Sequence, residues 1–384
     1  MISKSDLDIL RSDEVRRAIE ENIERDPAQI ALSKGVPHAS LVASQVKYLQ
    51  RARRKLPSLY AARCIIPSLA FEQSSSQECA RRKPLSGGSV LDLTCGLGID
   101  TVALAERFER VVALERDEVL AEVVRYNLSL LGIDNVEVVN IAAEEYVANT
   151  KEHFDWVFAD PDRRSAEGRK MVCMEDCSPN MLELMSRLKQ IARRVAIKLS
   201  PMFDCAEAFR LCSPAEVEVV SIGGECKEVN IYTEAQSDTL RVAVIGEGEW
   251  SYTCEDMAIE PDCDPFTMDE FRYLLVPDVA LQKARVAIAA LSPYASIWSN
   301  NGYAFARELP TEPLPVKVFE IDTILSYHPK DLKRRWKGLG IELMKRDTIL
   351  SIDTIRKATA ARAGSDRLVA VTNIGGVNQV IELK

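Results

Sequence analysis

The stretch VLDLTCGLGID, Val90–Asp100, sets an apolar, strand-like run directly against a turn carrying two glycines. The amphipathic run TVALAERF, 101–108, follows at once. A strand that ends in a glycine turn and re-enters as a helix lets backbone approach a ligand closely, while the helix start offers free amide donors. The pattern is Asp92-x-x-x-Gly96-x-Gly98, with Thr101 where the dinucleotide fingerprint G-x-G-x-x-G has its third glycine. Seventeen residues beyond Gly98, Glu115 ends the run VVALE, 111–115. A carboxylate there can accept both hydroxyls of a ribose, which suits a nucleotide or an adenosyl ligand.

Outward from this turn, short apolar runs alternate with helical patterns: SVLDL at 89–93, VVALE at 111–115, VEVV at 136–139, FDWVFA at 154–159 and VAIKL at 195–199. Such alternation predicts βαβ crossovers and an α/β fold with a mostly parallel, Rossmann-like sheet. The runs EVEVVSI, 216–222, and KEVNIYT, 227–233, separated by GGEC, predict a hairpin and one antiparallel strand. Residues 1–65 show helical periodicity, with helices expected at 5–24 and 39–54. The acidic stretch CEDMAIEPDCDPF, 254–266, reads as a linker. The expected organisation is an N-terminal helical region (1–65), the parallel-sheet domain (66–247), a small α/β, ferredoxin-like domain (265–308) and a C-terminal domain (309–384).

Composition excludes several classes. The 384 residues include 47% apolar and 28% charged residues, as in ordinary globular proteins. The longest apolar runs fall short of the roughly 18 residues that span a bilayer, and MISKSDLDILRSDEVRR is too charged for a secretory signal. The ten cysteines form no regular framework and only three histidines are present, so no metal site is expected and reduced thiols in the cytoplasm are. A net charge of −9 gives the surface as a whole no attraction for nucleic acid, although basic clusters occur at 51–55, 81–83, 162–164 and 330–337.

At the end of the fourth run stands FADPDRR, 158–164, which puts Asp160-Pro161 at the carboxyl edge beside the same turn. Here the chain resembles the class I S-adenosylmethionine-dependent methyltransferases. VLDLTCGLGID looks like their motif I, Glu115 matches the acidic end of strand two, and ADPDRR occupies the place of their Asp/Asn-Pro-Pro-aromatic motif. FEQSSSQECA, 71–80, resembles the segment before motif I in RNA amino-methylating members, and the tail from RRWKGLGIELMKRD onward resembles a THUMP-like domain. The resemblance implies S-adenosylmethionine as cofactor, contacted by Gln73, Ser74, Ser75, Asp92, Thr94, Gly96, Gly98, Asp100, Glu115, Arg116, Asn140 and Ala142. It implies catalytic roles for Asp160, Pro161 and Asp162, and substrate or RNA contacts for Arg163, Arg164 and Lys198. Asp162 and Arg163 stand where the family carries its second proline and aromatic. Ala142 stands where an adenine-binding acid is often found, leaving Asn140, Glu144 or backbone for that contact.

The expected activity is methylation of a nitrogen of an RNA base, in tRNA or rRNA. A non-catalytic RNA-binding protein with a degenerate methyltransferase fold is the alternative. An NAD-dependent oxidoreductase is a third reading, disfavoured by the missing third glycine.

Overall fold

The computed structural model describes residues 2–163, 174–267 and 270–384, with Arg163 described by its backbone alone. The chain divides into two compact units, Met1–Phe203 with Ile231–Glu234, and Asp204–Asn230 with Ala235–Lys384.

The first unit begins with helices α1 (Lys4–Arg11), α2 (Asp13–Glu21), α3 (Pro27–Ala31), α4 (Ala39–Lys55), α5 (Pro57–Ala61), α6 (Ser68–Gln73) and α7 (Gln77–Arg82). The single helix expected over 5–24 is two. Ser12 breaks it, because its hydroxyl caps α2 by accepting from the Val15 amide while Asp13 and Glu14 fill the first turn. Helix α4 buries Val42, Val46 and Leu49 on one stripe and ends in Arg53, Arg54 and Lys55, whose charge suits a helix C-terminus.

The sheet follows as β1 (Gly87–Asp92), α8 (Ile99–Ala105), β2 (Phe108–Leu114), α9 (Glu118–Leu131), β3 (Val136–Val139), α10 (Ala143–Asn149) and β4 (Phe154–Ala159). The two-residue strands β5 (Asp162–Arg163) and β6 (Cys177–Ser178) pair antiparallel before α11 (Met181–Ile191) and β7 (Ala192–Leu199). Strand order is β7-β4-β1-β2-β3, and the pairs β1–β2, β1–β4, β2–β3 and β4–β7 are all parallel. The chain walks outward from β1 to β3 and then returns to the other side of β1 as β4. That reversal makes the carboxyl ends of β1 and β4 the switch point where open α/β sheets bind ligands.

The N-terminal helices do not stand apart from this sheet. One core runs from Leu7, Ile30, Val46 and Leu49 to Leu97, Ile99 and Ala103 around α8, and to Val123 of α9. Asn127 of α9 clamps the segment before α6: its carboxamide accepts from the Ile65 amide at 2.8 Å and donates to the Ile65 carbonyl at 2.9 Å. The residue is 3% exposed.

In the second unit α12 (Cys205–Cys212) precedes β8 (Ala215–Ile222), and Gly223-Gly224 turn the chain into β9 (Glu225–Thr233) with φ of 58° and 81°. Two consecutive positive φ values form the tight hairpin turn that glycine pairs favour. Strand β10 (Thr239–Val244) is parallel to β8, and β11 (Gly248–Thr253) is antiparallel to β10.

Beyond them β12 (Tyr273–Pro277), α13 (Val279–Lys283), α14 (Ala287–Leu291), β13 (Ser296–Ile297), β14 (Ala304–Ala306), β15 (Val316–Ser326), α15 (Pro329–Arg335), β16 (Gly340–Lys345), α16 (Ile352–Thr359), β17 (Arg362–Ala363), β18 (Arg367–Ile374) and β19 (Val377–Leu383) build an eight-stranded sheet. Its strand order is β13-β14-β12-β15-β19-β18-β16-β17. Strand β15 joins the halves, pairing β12 with its first residues and β19 with its last across a register shift between Ile321 and Thr323. Among the described residues no helix is long and apolar enough to cross a membrane.

Replacing Asn127 by Ala leaves the Ile65 amide and carbonyl buried without partners, so the expected loss is about 2–4 kcal/mol of unfolding free energy. Urea denaturation of the two proteins measures it.

Candidate active site

A cleft of about 410 Å3 opens at the carboxyl ends of β1 and β4, within the usual size of small-molecule sites. Its floor is Leu93, Thr94, Gly96 and Leu97. Leu69, Ala70, Gln73, Ser74, Ser75 and Asp100 also line it, as do Glu115, Arg116, Ile141 and Ala142. Asp160, Asp162, Ser178 and Pro179 close the end.

The turn is held from beneath by Asp92, which is 0% exposed. One of its oxygens accepts from the Thr94 amide at 3.0 Å and the other from the Thr101 hydroxyl at 2.6 Å. Thr101, standing at the absent third glycine, is therefore a buried anchor. Burial pushes the Asp92 carboxyl up to about 7, against those two hydrogen bonds. Asp92 lies under the cleft and does not line it.

The two glycines do different things. Gly96, at φ 55°, is half-buried and lines the cleft, and a Cβ there would meet only the Thr94 carbonyl at 3.9 Å. Gly98, expected to face the ligand, instead caps α8 at φ 82°; a Cβ there would press on Val124 of α9 at 3.2 Å. Its constraint is helix packing.

Glu115 leaves the end of β2 and folds back over the turn. Its two oxygens accept from the Gly96 amide at 2.9 Å and the Asp117 amide at 2.8 Å. Burial raises its carboxyl above the ordinary range, and the two amides oppose that. Each carboxylate oxygen can accept twice, so half of its capacity still faces the cleft. Asn140 spends its side-chain donor on the Glu115 and Arg116 carbonyls, at 2.9 and 3.1 Å, and so shapes the loop after β2. Ala142 lines the cleft beside Ile141, an apolar wall with only backbone to offer.

At the far end the Asp160 amide donates to the Thr94 hydroxyl at 2.6 Å, tying β4 to the β1 turn. Its carboxylate pairs with Lys198 of β7. Lys198 was expected to reach phosphate or substrate; in the structure its side chain is 11% exposed and turned onto Asp160. Burial raises the Asp160 carboxyl, Lys198 lowers it, and the neighbouring Asp100 adds to the rise. Pro161 is buried, whereas Asp162 is exposed at the rim with Arg116 at 3.9 Å. Arg116 also donates to the Ser178 hydroxyl at 3.4 Å. Arg164 and the Arg163 side chain lie outside the described residues.

Three residues were not expected here. Ser178 and Pro179 reach the cleft because β6 pairs with β5. Lys83, placed by sequence in a basic run, is 3% exposed and donates to Asp100 at 2.8 Å. Its position directly after a short helix and before Pro84 was the available signal that it ends inside the fold.

Comparison with known proteins agrees with this geometry. The tRNA (uracil-5-)-methyltransferase family model matches residues 78–158, from α7 to β4, and the THUMP domain-like model matches residues 316–383. An S-adenosylmethionine-dependent methyltransferase of Mycobacterium tuberculosis, itself uncharacterized, is 25% identical over 345 residues, 85% of this chain and 90% of that protein. A tRNA/tmRNA (uracil-C(5))-methyltransferase of Photobacterium profundum is 30% identical over 137 residues, which span only 28% of this chain and 37% of the relative. A crystal structure from Porphyromonas gingivalis W83 shares the fold, with a TM-score of 0.82 and 24% identity over 100% of this chain and 98% of that one. The chain is a class I S-adenosylmethionine-dependent methyltransferase with a THUMP-like domain at residues 316–383.

The methyltransferase cleft fits that cofactor. Gly96 leaves room beside the turn, Glu115 keeps acceptor capacity that would suit ribose hydroxyls, and Asp100 adds a second carboxylate to the lining.

Glu115→Gln would set an amide NH2 against one of the two backbone amides and remove the charge. Affinity for S-adenosylmethionine and for S-adenosylhomocysteine should fall together by about tenfold to a hundredfold, the worth of one charged hydrogen bond; calorimetric titration of both ligands checks it.

Asp92 supplies a pH test. The folded chain keeps its proton up to about pH 7, whereas an unfolded Asp loses it near pH 4. The folded state binds more protons in that window, so Asp92 contributes stability that is present at about pH 4 and lost as pH rises through about 7. Asp92→Asn mimics the protonated form, and its melting temperature should gain on wild type between pH 5 and pH 8. Parallel melting curves across that range would contradict this.

Proposed function

We propose that this methyltransferase acts in the cytoplasm on a nitrogen of an RNA base. The observation that carries the reading is Asp160: its carboxylate, at the β4 edge and lining the cofactor cleft, is paired with Lys198, while its backbone amide is tied to the Thr94 hydroxyl.

The bound cofactor supplies a methyl group already activated on a sulfonium. The protein's work is then alignment and exclusion of water. Asp160 accepts a hydrogen bond from the N–H of the target, which turns the nitrogen lone pair toward the methyl carbon. Transfer of that methyl would leave positive charge on the nitrogen and make its proton acidic. Asp160 would take that proton, a role supported by the burial that raises its carboxyl. Lys198 holds the carboxylate in one orientation throughout.

A nitrogen acceptor is favoured over uracil C5 by the contents of the cleft. Carbon 5 is a poor nucleophile until another group adds to the neighbouring carbon, a task suited to a thiolate. Among the described residues no cysteine lines the cleft. Cys95 beneath it is 5% exposed, and its thiol is pushed well above its ordinary range by burial. The uracil-5 family match also stops at Phe158, two residues before Asp160, and so concerns the cofactor-binding half. RNA as partner is supported by the THUMP-like match and by the tRNA-modifying relatives.

Asp160→Ala should leave S-adenosylmethionine affinity within a few-fold of wild type and lower methyl transfer at least about a hundredfold, the usual effect of a misaligned acceptor. The assay uses radiolabelled cofactor, total RNA from cells lacking the protein, and nucleoside analysis expected to yield an N-methylated base. C5-methyluridine as product would replace the nitrogen reading. Cofactor binding without RNA labelling would point to a non-catalytic RNA-binding role or a different substrate.

A further inference from the structure

Behind the cleft lies a cluster that the methyl transfer described above does not use. The Lys83 ammonium sits 2.8 Å from Asp100 Oδ1, 3.5 Å from the Cys79 carbonyl, and 5.7 Å from the centre of the Phe158 ring. The Ser75 hydroxyl donates to Asp100 Oδ2 at 2.8 Å. Side-chain exposure is 3% for Lys83 and 12% for Asp100. A lysine this deep is rare unless it is paired, and its desolvation is offset only by close partners. Asp100 lines the cleft while Lys83 does not: the ammonium is sealed under the carboxylate, and the carboxylate faces the ligand. With one oxygen on Lys83 and the other on Ser75, Asp100 keeps acceptor capacity at the cleft that it lines.

We propose that Lys83 is a positioning residue for the cofactor: it fixes Asp100 as an oriented carboxylate that receives the α-ammonium of the amino-acid end of S-adenosylmethionine. Asp92, the first acid of the glycine turn, does not line the cleft, and both its oxygens are engaged by Thr94 and Thr101. Glu115, at the end of β2, is held on the Gly96 and Asp117 amides and is the acid expected to meet the ribose. Asp100 is thus the acid placed to meet a primary ammonium.

The charged groups around it are Lys83 at the end of α7, Lys198 of β7, Asp160 after β4 and Asp92 of β1. Burial pushes the Asp100 carboxyl up; Lys83 first, then Lys198, outweigh it, and the carboxyl lies below its ordinary value. Asp100 therefore stays charged through the neutral range. Without the Lys83 charge the effect of burial is less opposed, and the carboxyl takes up a proton as pH falls.

The inference rests on the cofactor occupying this cleft and not on the identity of the acceptor, so it is tested by binding alone. Three ligands are titrated into wild type, Lys83→Gln, Lys83→Arg and Asp100→Asn at pH 6 and pH 8: S-adenosylmethionine, S-adenosylhomocysteine, and methylthioadenosine, which has the adenosine and sulfur but no amino-acid end. Wild type and Lys83→Arg should bind S-adenosylhomocysteine with affinities that differ by less than about threefold between the two pH values, whereas Lys83→Gln, its carboxyl freed to take up a proton, should weaken from pH 8 to pH 6 by clearly more than that. Asp100→Asn should be weak at both, and methylthioadenosine should bind all four proteins alike. A Lys83→Gln protein with the wild-type pH dependence would overturn the proposal. So would equal losses of methylthioadenosine and S-adenosylhomocysteine, the mark of a merely collapsed cleft. Should Lys83→Gln not fold, Asp100→Asn decides: S-adenosylhomocysteine affinity within about twofold of wild type at both pH values, against the roughly tenfold that one lost charged contact is worth, would overturn it.

Discussion

Asp92 lies at 0% exposure with one oxygen on the Thr94 amide and the other on the Thr101 hydroxyl, and the cleft is built outward from those two bonds. Thr101 stands on the first turn of α8, so the Asp92 carboxyl joins the end of β1 to the helix that follows. Thr94, its own amide held by Asp92, turns its hydroxyl to the Asp160 amide and so sets the height of the β4 edge. Gly96 then falls where Glu115 can reach its amide from β2. Three strand ends are thus registered by hydrogen bonds whose first member is one buried carboxyl. A buried network satisfied at every member holds one geometry because each alternative strands a polar group.

Electrostatically the cleft is arranged in opposed pairs. Asp100 with Lys83 and Asp160 with Lys198 put two acids and two bases around one small volume. The acids are driven apart: Asp100 below its ordinary range, Asp160 above it. Environments that separate like groups in this way assign them different work. A permanently charged Asp100 suits a cationic ligand, and an Asp160 closer to neutrality suits exchange of a proton. Lys83 and Lys198 achieve this from beneath and beside the acids without occupying the space a ligand needs.

The basic runs show how differently one residue type is used. Lys83 ends under the cleft. In the THUMP-like domain, Arg335 and Trp336 both donate to Glu382, which is 0% exposed, with Arg367 on the same carboxylate. Burial raises that carboxyl, and hydrogen bonds from Arg335 and Trp336 more than cancel the rise. Part of KDLKRRWK is thus core structure, while Lys333 and Arg334 remain on the exposed face of α15.

The parallel sheet, the glycine turn and the acid at the end of β2 were legible in the chain itself, because apolar strand runs, glycines and a lone terminal carboxylate are local signals with local causes. Glu115 and Asp160 could be set beside the cleft that way, since strand ends at a switch point border it whatever the rest of the fold does. Local patterning failed where a partner distant in sequence decides the outcome. Ser12 divides one apparent helix into two. Gly98 is constrained by Val124 of α9, while Gly96 alone opens on the cleft. Asn140 serves the loop after β2, and Lys198 turns inward to Asp160. Lys83 reads as one more surface cation until α7 and α8 pack and bring Asp100 to it. The sequence by itself determined which elements form and at which strand ends the chemistry lies, since hydrophobic period and turn residues act over a few positions. Only the tertiary structure decided which charges are buried, what each is paired with and which carboxyl stays ionised, because those depend on desolvation and on groups that meet only when the sheet closes.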